Sequence, residues 1–175
     1  MNNLLRNIIK NIKRKAKKYY CVKQFDITDC GAACLATISK QYGLKVSLTK
    51  IREMAGTDKR GTNILGMIKA AEELGFDAKG VRAEEEDLTA QLQFPCIAHV
   101  NQKGLLHFVV VHEITDDDLV IADPAEGVVI YTRSDFMKIW TGVLILIKPS
   151  SNFVKADVTS GFFERFSYLI LRSEE

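Results

Sequence analysis

No apolar run in this 175-residue chain is long enough to cross a membrane. The longest strongly apolar runs, Phe108 to Val111 and Val143 to Ile147, fall far short of the roughly 20 residues that a spanning helix needs. The chain also lacks a CxxC pair, zinc-finger spacing and a Walker motif, so the sequence signatures of a zinc site and of ATP binding are missing. The four cysteines are therefore predicted to be reduced thiols in a cytosolic setting, and no cofactor or metal is expected.

Acidic residues are absent from the first 23 positions, which hold eight Lys or Arg. In the basic arm, residues 1–20, one helical face carries Leu4, Leu5, Ile8, Ile9 and Ile12, and Lys13, Arg14, Lys15, Lys17 and Lys18 follow. The pattern predicts an amphipathic helix at a membrane surface, and a solvated arm explains it equally well. The rest of the chain has 16 basic against 22 acidic residues, which argues against a nucleic-acid-binding surface.

The remaining composition, 47% hydrophobic and 9% aromatic, is that of one globular domain, which we place at residues 21–148. A linker is predicted from Pro149. Residues 149–175 then end in a second amphipathic segment, Phe162 to Leu171, with its aromatic residues on one face. We interpret this segment as a helix at the membrane surface; a terminal helix packed on the domain is the alternative.

The first half of the domain has helical periodicity and the second half has short β-like runs. Gly43 ends a helix that begins at Cys30, Ser47 and Gly56 bound a second helix, and Thr62 or Asn63 opens a third that Gly75 closes. Six strands are predicted at Ala78 to Val81, Cys96 to Val100, Leu105 to His112, Leu119 to Ala122, Val128 to Tyr131 and Val143 to Ile147. This order predicts an α+β fold in which N-terminal helices pack on an antiparallel β-sheet.

The segment Gln24-Phe25-Asp26-Ile27-Thr28-Asp29-Cys30-Gly31-Ala32-Ala33-Cys34 places a cysteine where a loop becomes a helix. Thr28 or Asp29 can be the N-cap, so Cys30 would lie in the first turn, where unpaired N–H groups and the helix dipole favour thiolate over thiol. Cys34, one turn later, is interpreted as a buried core thiol. Cys30 could equally be a core thiol unless partners for it exist.

A thiolate nucleophile needs an acid–base group and a third group that orients it. Of the three histidines, His99 and His112 lie in or beside apolar runs, where a structural role is more common. His107 begins a strand just after Gly104, and strand alternation prevents His107 and His112 from facing the same cysteine. Asp123 ends the following strand, within a hairpin's reach of His107, and can orient the imidazole, although a simple turn before Pro124 would also explain it.

An acyl-transfer site also needs donors for the oxyanion. Gln24, in the loop before Cys30, can supply a side-chain amide and Cys30 a backbone N–H; taken alone, Gln24 reads as an ordinary exposed residue. The order Cys, His, Asp, with the cysteine on a helix and the other two residues on a sheet, is the papain-like arrangement of acyl-transfer enzymes.

These motifs resemble the cysteine peptidase domains at the N-termini of bacteriocin-exporting ABC transporters, which cleave double-glycine leader peptides. The resemblance covers roughly residues 20–148 and lies in Gln24 to Cys34, Gly61-Thr62, Pro95, His107-Phe108-Val109-Val110 and Asp123-Pro124. It implies a papain-like fold, with Cys30 as nucleophile, His107 as general base and acid, Asp123 as its orienting group and Gln24 as oxyanion donor.

The resemblance also implies the partners. The substrate would be a precursor peptide whose amphipathic leader helix docks in an apolar groove, cleaved after a Gly-Gly or Gly-Ala pair. Apolar side chains of the third helix are candidates for that groove. Transmembrane and ATPase domains of a parent transporter would place the domain at the cytoplasmic face of a bacterial membrane.

Two other function classes compete with this one. A catalytically silent docking module would keep the fold without the cysteine, and the presence of Cys30, His107 and Asp123 argues against it. A papain-like acyltransferase or amidase acting on small molecules would need a cofactor-like site, which the sequence does not offer.

Overall fold

The computed structural model describes residues 19–159. The two predicted amphipathic helices, in the basic arm and at Phe162 to Leu171, lie outside this range. Within it, no helix is both long enough and apolar enough to span a membrane.

Three helices form the N-terminal layer: α1 Cys30–Tyr42, α2 Leu48–Ala55 and α3 Ile64–Glu73. Their ends follow the local sequence as predicted. The Ser47 side chain accepts from Lys50 N and caps α2, while the Asn63 side chain accepts from Gly66 N and caps α3. Gly43 ends α1 with a left-handed backbone (φ 91°), which glycine adopts without steric cost.

The six predicted strands form one antiparallel sheet. Their bounds are β1 Phe76–Arg82, β2 Cys96–Gln102, β3 Leu105–Ile114, β4 Asp118–Asp123, β5 Gly127–Thr132 and β6 Trp140–Pro149, in the order β1-β6-β2-β3-β4-β5. The predicted α+β class, with N-terminal helices on an antiparallel sheet, is confirmed.

Side-chain alternation divides the sheet between two cores. Ile97, Phe108, Val110, Ala122, Ile145 and Ile147 pack under the three helices. Ala98, Val100, Val109, Val111, Ile121 and Leu144 face the other way, against Leu88, Trp140 and Phe136. Phe136 belongs to a fourth helix, α4 Arg133–Ile139, which sequence analysis missed because seven residues with one buried side chain give too little periodicity.

The chain continues to pack on the domain beyond Lys148. Ser150 N donates to Gly75 O at 3.0 Å, and the Phe153 ring lies 4.6 Å from the Phe76 ring, centroid to centroid. Lys45 N donates to Ala156 O and Val158 N to Lys45 O, both at 2.8 Å. The segment after Pro149 therefore covers one end of the helical layer.

Strand pairing along β3 is unequal, and this inequality positions the candidate site. Residues 105–109 pair with β2, whereas pairing with β4 begins only at the partners Val110 and Ala122. The first half of β3 therefore borders a gap in the sheet on the β4 side, and the N-terminus of α1 packs near it.

Candidate active site

Cys30 is the first residue of α1, as predicted, with Asp29 in the N-cap position. The side chain of Asp29 makes no capping hydrogen bond. Instead, the buried carboxylate accepts from the backbone N–H groups of Phe25 and Asp26 at 3.2 Å each and forms an ion pair with Arg52 of α2. The residue before Cys30 therefore holds the approach loop in place, since its oxygen atoms satisfy that loop's donors.

His107 and Asp123 form a buried pair at the open edge of β3. His107 Nε2 lies 2.9 Å from Asp123 Oδ1, and Asp123 is 0% exposed. The Asp123 carboxylate also accepts from Ala125 N at 2.8 Å and from Gln102 Nε2 at 3.3 Å. With Nε2 engaged by Asp123, Nδ1 is the ring nitrogen that remains for Cys30, whose side chain interacts with the same ring and raises its pKa.

The pair keeps the proton on His107. Burial of the ring lowers its pKa, but the hydrogen bond to the Asp123 carboxylate, the Asp123 charge and the interaction with Cys30 outweigh burial and raise the pKa to about 9. For Asp123, burial raises the pKa, whereas the hydrogen bonds from His107 and Ala125 and the His107 charge bring it below its usual value. His107 thus holds its proton near neutral pH, beside the Asp123 carboxylate.

Residues 21–24 lie beside the turn that follows Asp123. The Cys21 thiol donates to Asp123 O at 3.4 Å, and Gln24 N donates to Pro124 O at 3.1 Å. Val22 N donates to the hydroxyl of Thr37 in α1 at 2.9 Å. This segment connects the cysteine helix to the end of β4, and the Gln24 side-chain oxygen is buried there without a hydrogen-bond partner among the described residues.

A cleft of about 440 Å³ opens beside Cys30. Its walls include Thr62, Ile64, His99, Leu106 and Phe108. Its rim is apolar and solvent-accessible, with Ile27 64%, Leu65 78% and Leu106 65% exposed. Leu65, in the first turn of α3, points outward beside the cleft.

The small residues after Cys30 serve a packing role within the chain. A Cβ on Gly31 would meet Met67 Sδ at 3.0 Å and Thr62 Cβ at 3.1 Å. A side chain there would push Met67 and Thr62 away by a few tenths of an ångström, so glycine gives the start of α3 its closest approach, and Thr62 lines one wall of the cleft.

The other thiols and histidines have different surroundings. Cys34 is fully buried in the helical core, and burial raises its pKa well above the ordinary value. His112 bonds through Nε2 to Tyr20 O at 2.8 Å and packs against the Tyr19 ring. His99, which sequence analysis treated as structural, lines the cleft with Cys30. Its placement depends on strand register, which no local motif reveals.

A helix-borne cysteine beside a sheet-borne His–Asp pair, where β3 is unpaired on its β4 side, defines a papain-like α+β domain of the cysteine peptidase class. The Peptidase C39 family model matches residues 18–152. The chain therefore belongs to the Peptidase C39 family.

Curated relatives include two transporters from lactic acid bacteria. The chain is 40% identical over 148 residues to the lactococcin-G-processing and transport ATP-binding protein LagD of Lactococcus lactis, covering 81% of this chain and 21% of that protein. It is 43% identical over 141 residues to the pediocin PA-1 transport/processing ATP-binding protein PedD of Pediococcus acidilactici, covering 78% and 19%. The chain thus spans about a fifth of the length of these relatives.

A solved structure gives the same likeness in three dimensions. It is a double glycine motif protease from an AMS/PCAT transporter in complex with the leader peptide. The match has a TM-score of 0.71 and 36% sequence identity, and it covers 76% of this chain and 93% of that one.

Proposed function

We propose that this chain is a cysteine endopeptidase that removes the leader from a precursor peptide after a Gly-Gly or Gly-Ala pair. Cys30 is the nucleophile, His107 the general acid and base, and Asp123 the residue that orients His107. The Cys30 backbone N–H and the Gln24 side-chain amide stabilise the oxyanion. The observation that carries the proposal is the buried bond from His107 Nε2 to Asp123 Oδ1, 2.9 Å long, on a ring whose pKa is also raised by Cys30.

The first half of the reaction forms a thioester. The Cys30 thiolate attacks the carbonyl carbon of the scissile bond, an S–C bond forms, and the carbonyl electrons move to the oxygen, where the two donors stabilise the negative charge. Collapse of this intermediate breaks the C–N bond, and the leaving amine takes the proton from His107. The raised pKa of His107, about 9, suits this step because the ring holds a proton at neutral pH.

The second half releases the leader. His107, now neutral, accepts a proton from water, and the resulting hydroxide attacks the thioester carbonyl. The S–C bond breaks, Cys30 returns as thiolate beside the reprotonated His107, and the leader leaves as a carboxylic acid that loses its proton to water. Asp123 keeps the ring oriented in both halves through its bond to Nε2.

Support for a peptide substrate comes from the shape of the cleft. Thr62, which lines the cleft with Cys30, packs closely against Gly31, and a cleft walled by close-packed groups would favour residues without side chains at the cleavage point. The exposed apolar residues Ile27, Leu65 and Leu106 offer a surface for the apolar face of a leader helix. The double glycine motif protease, which was solved with its leader peptide, has the same fold.

Transport is proposed on the likeness to the relatives alone. LagD and PedD are named as processing and transport ATP-binding proteins. We infer that this domain works with the transmembrane and ATPase domains of such a transporter, at the cytoplasmic face of a bacterial membrane. The predicted terminal amphipathic helices would contact that membrane.

The proposal is tested by incubating the chain with Gly-Gly leader peptides and identifying the products by mass. Cys30→Ala is expected to abolish cleavage, about 10⁴-fold or more, and to leave leader binding nearly intact. Cys34→Ala is the matched control, one helical turn away, and should keep cleaving because Cys34 only packs in the core.

Undiminished cleavage by Cys30→Ala would remove Cys30 from the mechanism. A wild-type chain that binds leader peptides without cutting them would instead identify a docking module.

A further inference from the structure

His99 lies in the wall of the cleft that holds Cys30, on the strand next to His107. Its ring packs on Phe108, with the ring centroids 5.0 Å apart, and it is only partly buried. An ordinary structural histidine would direct its polar atoms into the protein, whereas this one borders the space where a substrate must lie.

A β-bulge sets the orientation of His99. In the pairing of β2 with β6, His99 faces Val143 but the next residue, Val100, faces Trp140. The shift leaves Thr141 and Gly142 unpaired in that register and brings the Thr141 hydroxyl to His99. Bulges next to active sites commonly re-aim a side chain in this way.

Thr141 also determines which ring nitrogen carries the proton. Its hydroxyl donates to His99 O at 3.0 Å, so its single hydrogen is already used. The contact between His99 Nδ1 and the Thr141 oxygen, 2.8 Å long, must then be donated by Nδ1–H. Neutral His99 therefore has a lone pair on Nε2, and within residues 19–159 no group hydrogen-bonds to that atom.

The ring stays neutral at physiological pH, since burial, and then the charge of His107, lower the pKa of His99. A neutral, oriented acceptor in a cleft suits a backbone N–H donor. Glycine residues present that donor without a shielding side chain.

We propose that His99 Nε2 accepts a hydrogen bond from a backbone N–H of the glycine pair and so positions the substrate beside Cys30. This inference rests on the proposed function, because it assigns one contact within the leader-peptidase reaction. His99 is thus a binding residue, distinct from the acid–base residue His107.

The test uses the 175-residue chain and a Gly-Gly leader peptide, with two analogues in which the N–H of one glycine or the other is replaced by an ester oxygen. Each replacement removes a donor without adding bulk. For the wild type, one analogue should show a KM about 3-fold to 10-fold higher than the parent peptide, with kcat nearly unchanged, the size expected for one neutral hydrogen bond.

Variants of the protein complete a double-mutant cycle, in which one change removes the donor from the peptide and the other removes the acceptor from the protein. His99→Leu should raise KM for the parent peptide by a similar factor and lose the discrimination against the analogue, because both changes remove the same bond. His99→Gln, which retains an acceptor, should recover part of the affinity. His112→Gln is the control, a histidine that lies outside the cleft. The rate of Cys30 alkylation by iodoacetamide should be the same in wild type and His99→Leu, which shows that the Cys30–His107 pair is intact.

Equal KM values of the wild type for all three peptides would overturn the inference, and this comparison does not depend on whether any variant folds. A His99→Leu protein with slower alkylation, lower kcat and unchanged KM would overturn it too, since His99 would then act on the pair. If the wild type cleaves none of the peptides, the proposed function itself fails and the inference falls with it.

Discussion

The two halves of β3 carry one buried histidine each and use it differently. Residues 105–109 pair with β2 alone, and His107 there meets Asp123 and Cys30. The half that begins at Val110 pairs with β4, and His112 there bonds to the Tyr20 carbonyl. Burial alone therefore does not place a histidine beside a carboxylate and a thiol. The difference is an open strand edge, which lets another element bring a carboxylate and a thiol to the ring.

The sharpest test of this contrast exchanges each histidine for glutamine. His107→Gln should lower kcat by about 10⁴-fold or more, because the acid–base group is lost from the proposed mechanism. His112→Gln should change kcat by less than about 3-fold. The measurement is leader cleavage followed by mass, with unfolding curves to confirm that both proteins are folded. Equal losses in the two variants would contradict the comparison.

Asp123→Asn tests the charge beside His107. We expect kcat to fall by about 10²-fold to 10³-fold, since the amide orients His107 less well and does not stabilise its charge. In the wild type, kcat/KM should fall as pH rises through about 9, where His107 loses its proton. Without the carboxylate the pKa of His107 is lower, so in Asp123→Asn the fall of kcat/KM at alkaline pH should begin at a lower pH than in the wild type. If kcat/KM of Asp123→Asn falls at the same pH as in the wild type, Asp123 does not control the proton on His107.

Gln24→Ala tests whether the segment beside the open edge takes part in the chemistry. We expect kcat to fall by about 10²-fold with little change in KM, as for loss of one oxyanion donor. Gln41→Ala is the matched control, because its side-chain oxygen is also buried without a partner among the described residues but lies at the far end of α1. A Gln24 variant that behaves like the Gln41 variant would remove Gln24 from the oxyanion site.

Val110→Ala probes the closed half of the strand and should have the smallest effect on activity. Val110 is fully buried under the helices and pairs with both neighbouring strands, so truncation should lower the free energy of unfolding by about 2 kcal/mol. The kcat per folded molecule should stay within about 2-fold of wild type. A large fall in kcat would mean that the closed half also shapes the site.

Local sequence was a good guide wherever structure depends on near neighbours. The ends of α1, α2 and α3 follow from Gly43, Ser47 and Asn63, because caps and left-handed glycines act within a few residues. The six strands follow from their alternation. The helix containing Phe136 was not predicted, because one buried residue does not form a periodic pattern. The packing of Phe153 was not predicted either, because its partners, Tyr42 and Phe76, lie far away in sequence.

The features of the candidate site also fall into those that local sequence predicted and those that depend on contacts between distant elements. The position of Cys30 at a helix start, and the choice of His107 and Asp123 as its candidate partners, came from residue type, order and spacing. The cleft location of His99 and the contacts of Gln102 with Asp123 and of Asp29 with Arg52 did not. Each of these three features involves residues of different elements, and a local motif contains no information about how those elements are aligned with one another.

The sequence by itself determined the first three helices, the six strands, their order and the residue types that acyl-transfer chemistry needs, because these depend on short-range preferences. The tertiary structure decided where β3 is left unpaired, which bulge orients His99, and how closely α3 approaches Cys30 at Gly31. Those features depend on packing between distant parts of the chain, where a shift of one residue in register would turn a side chain to the opposite face of the sheet.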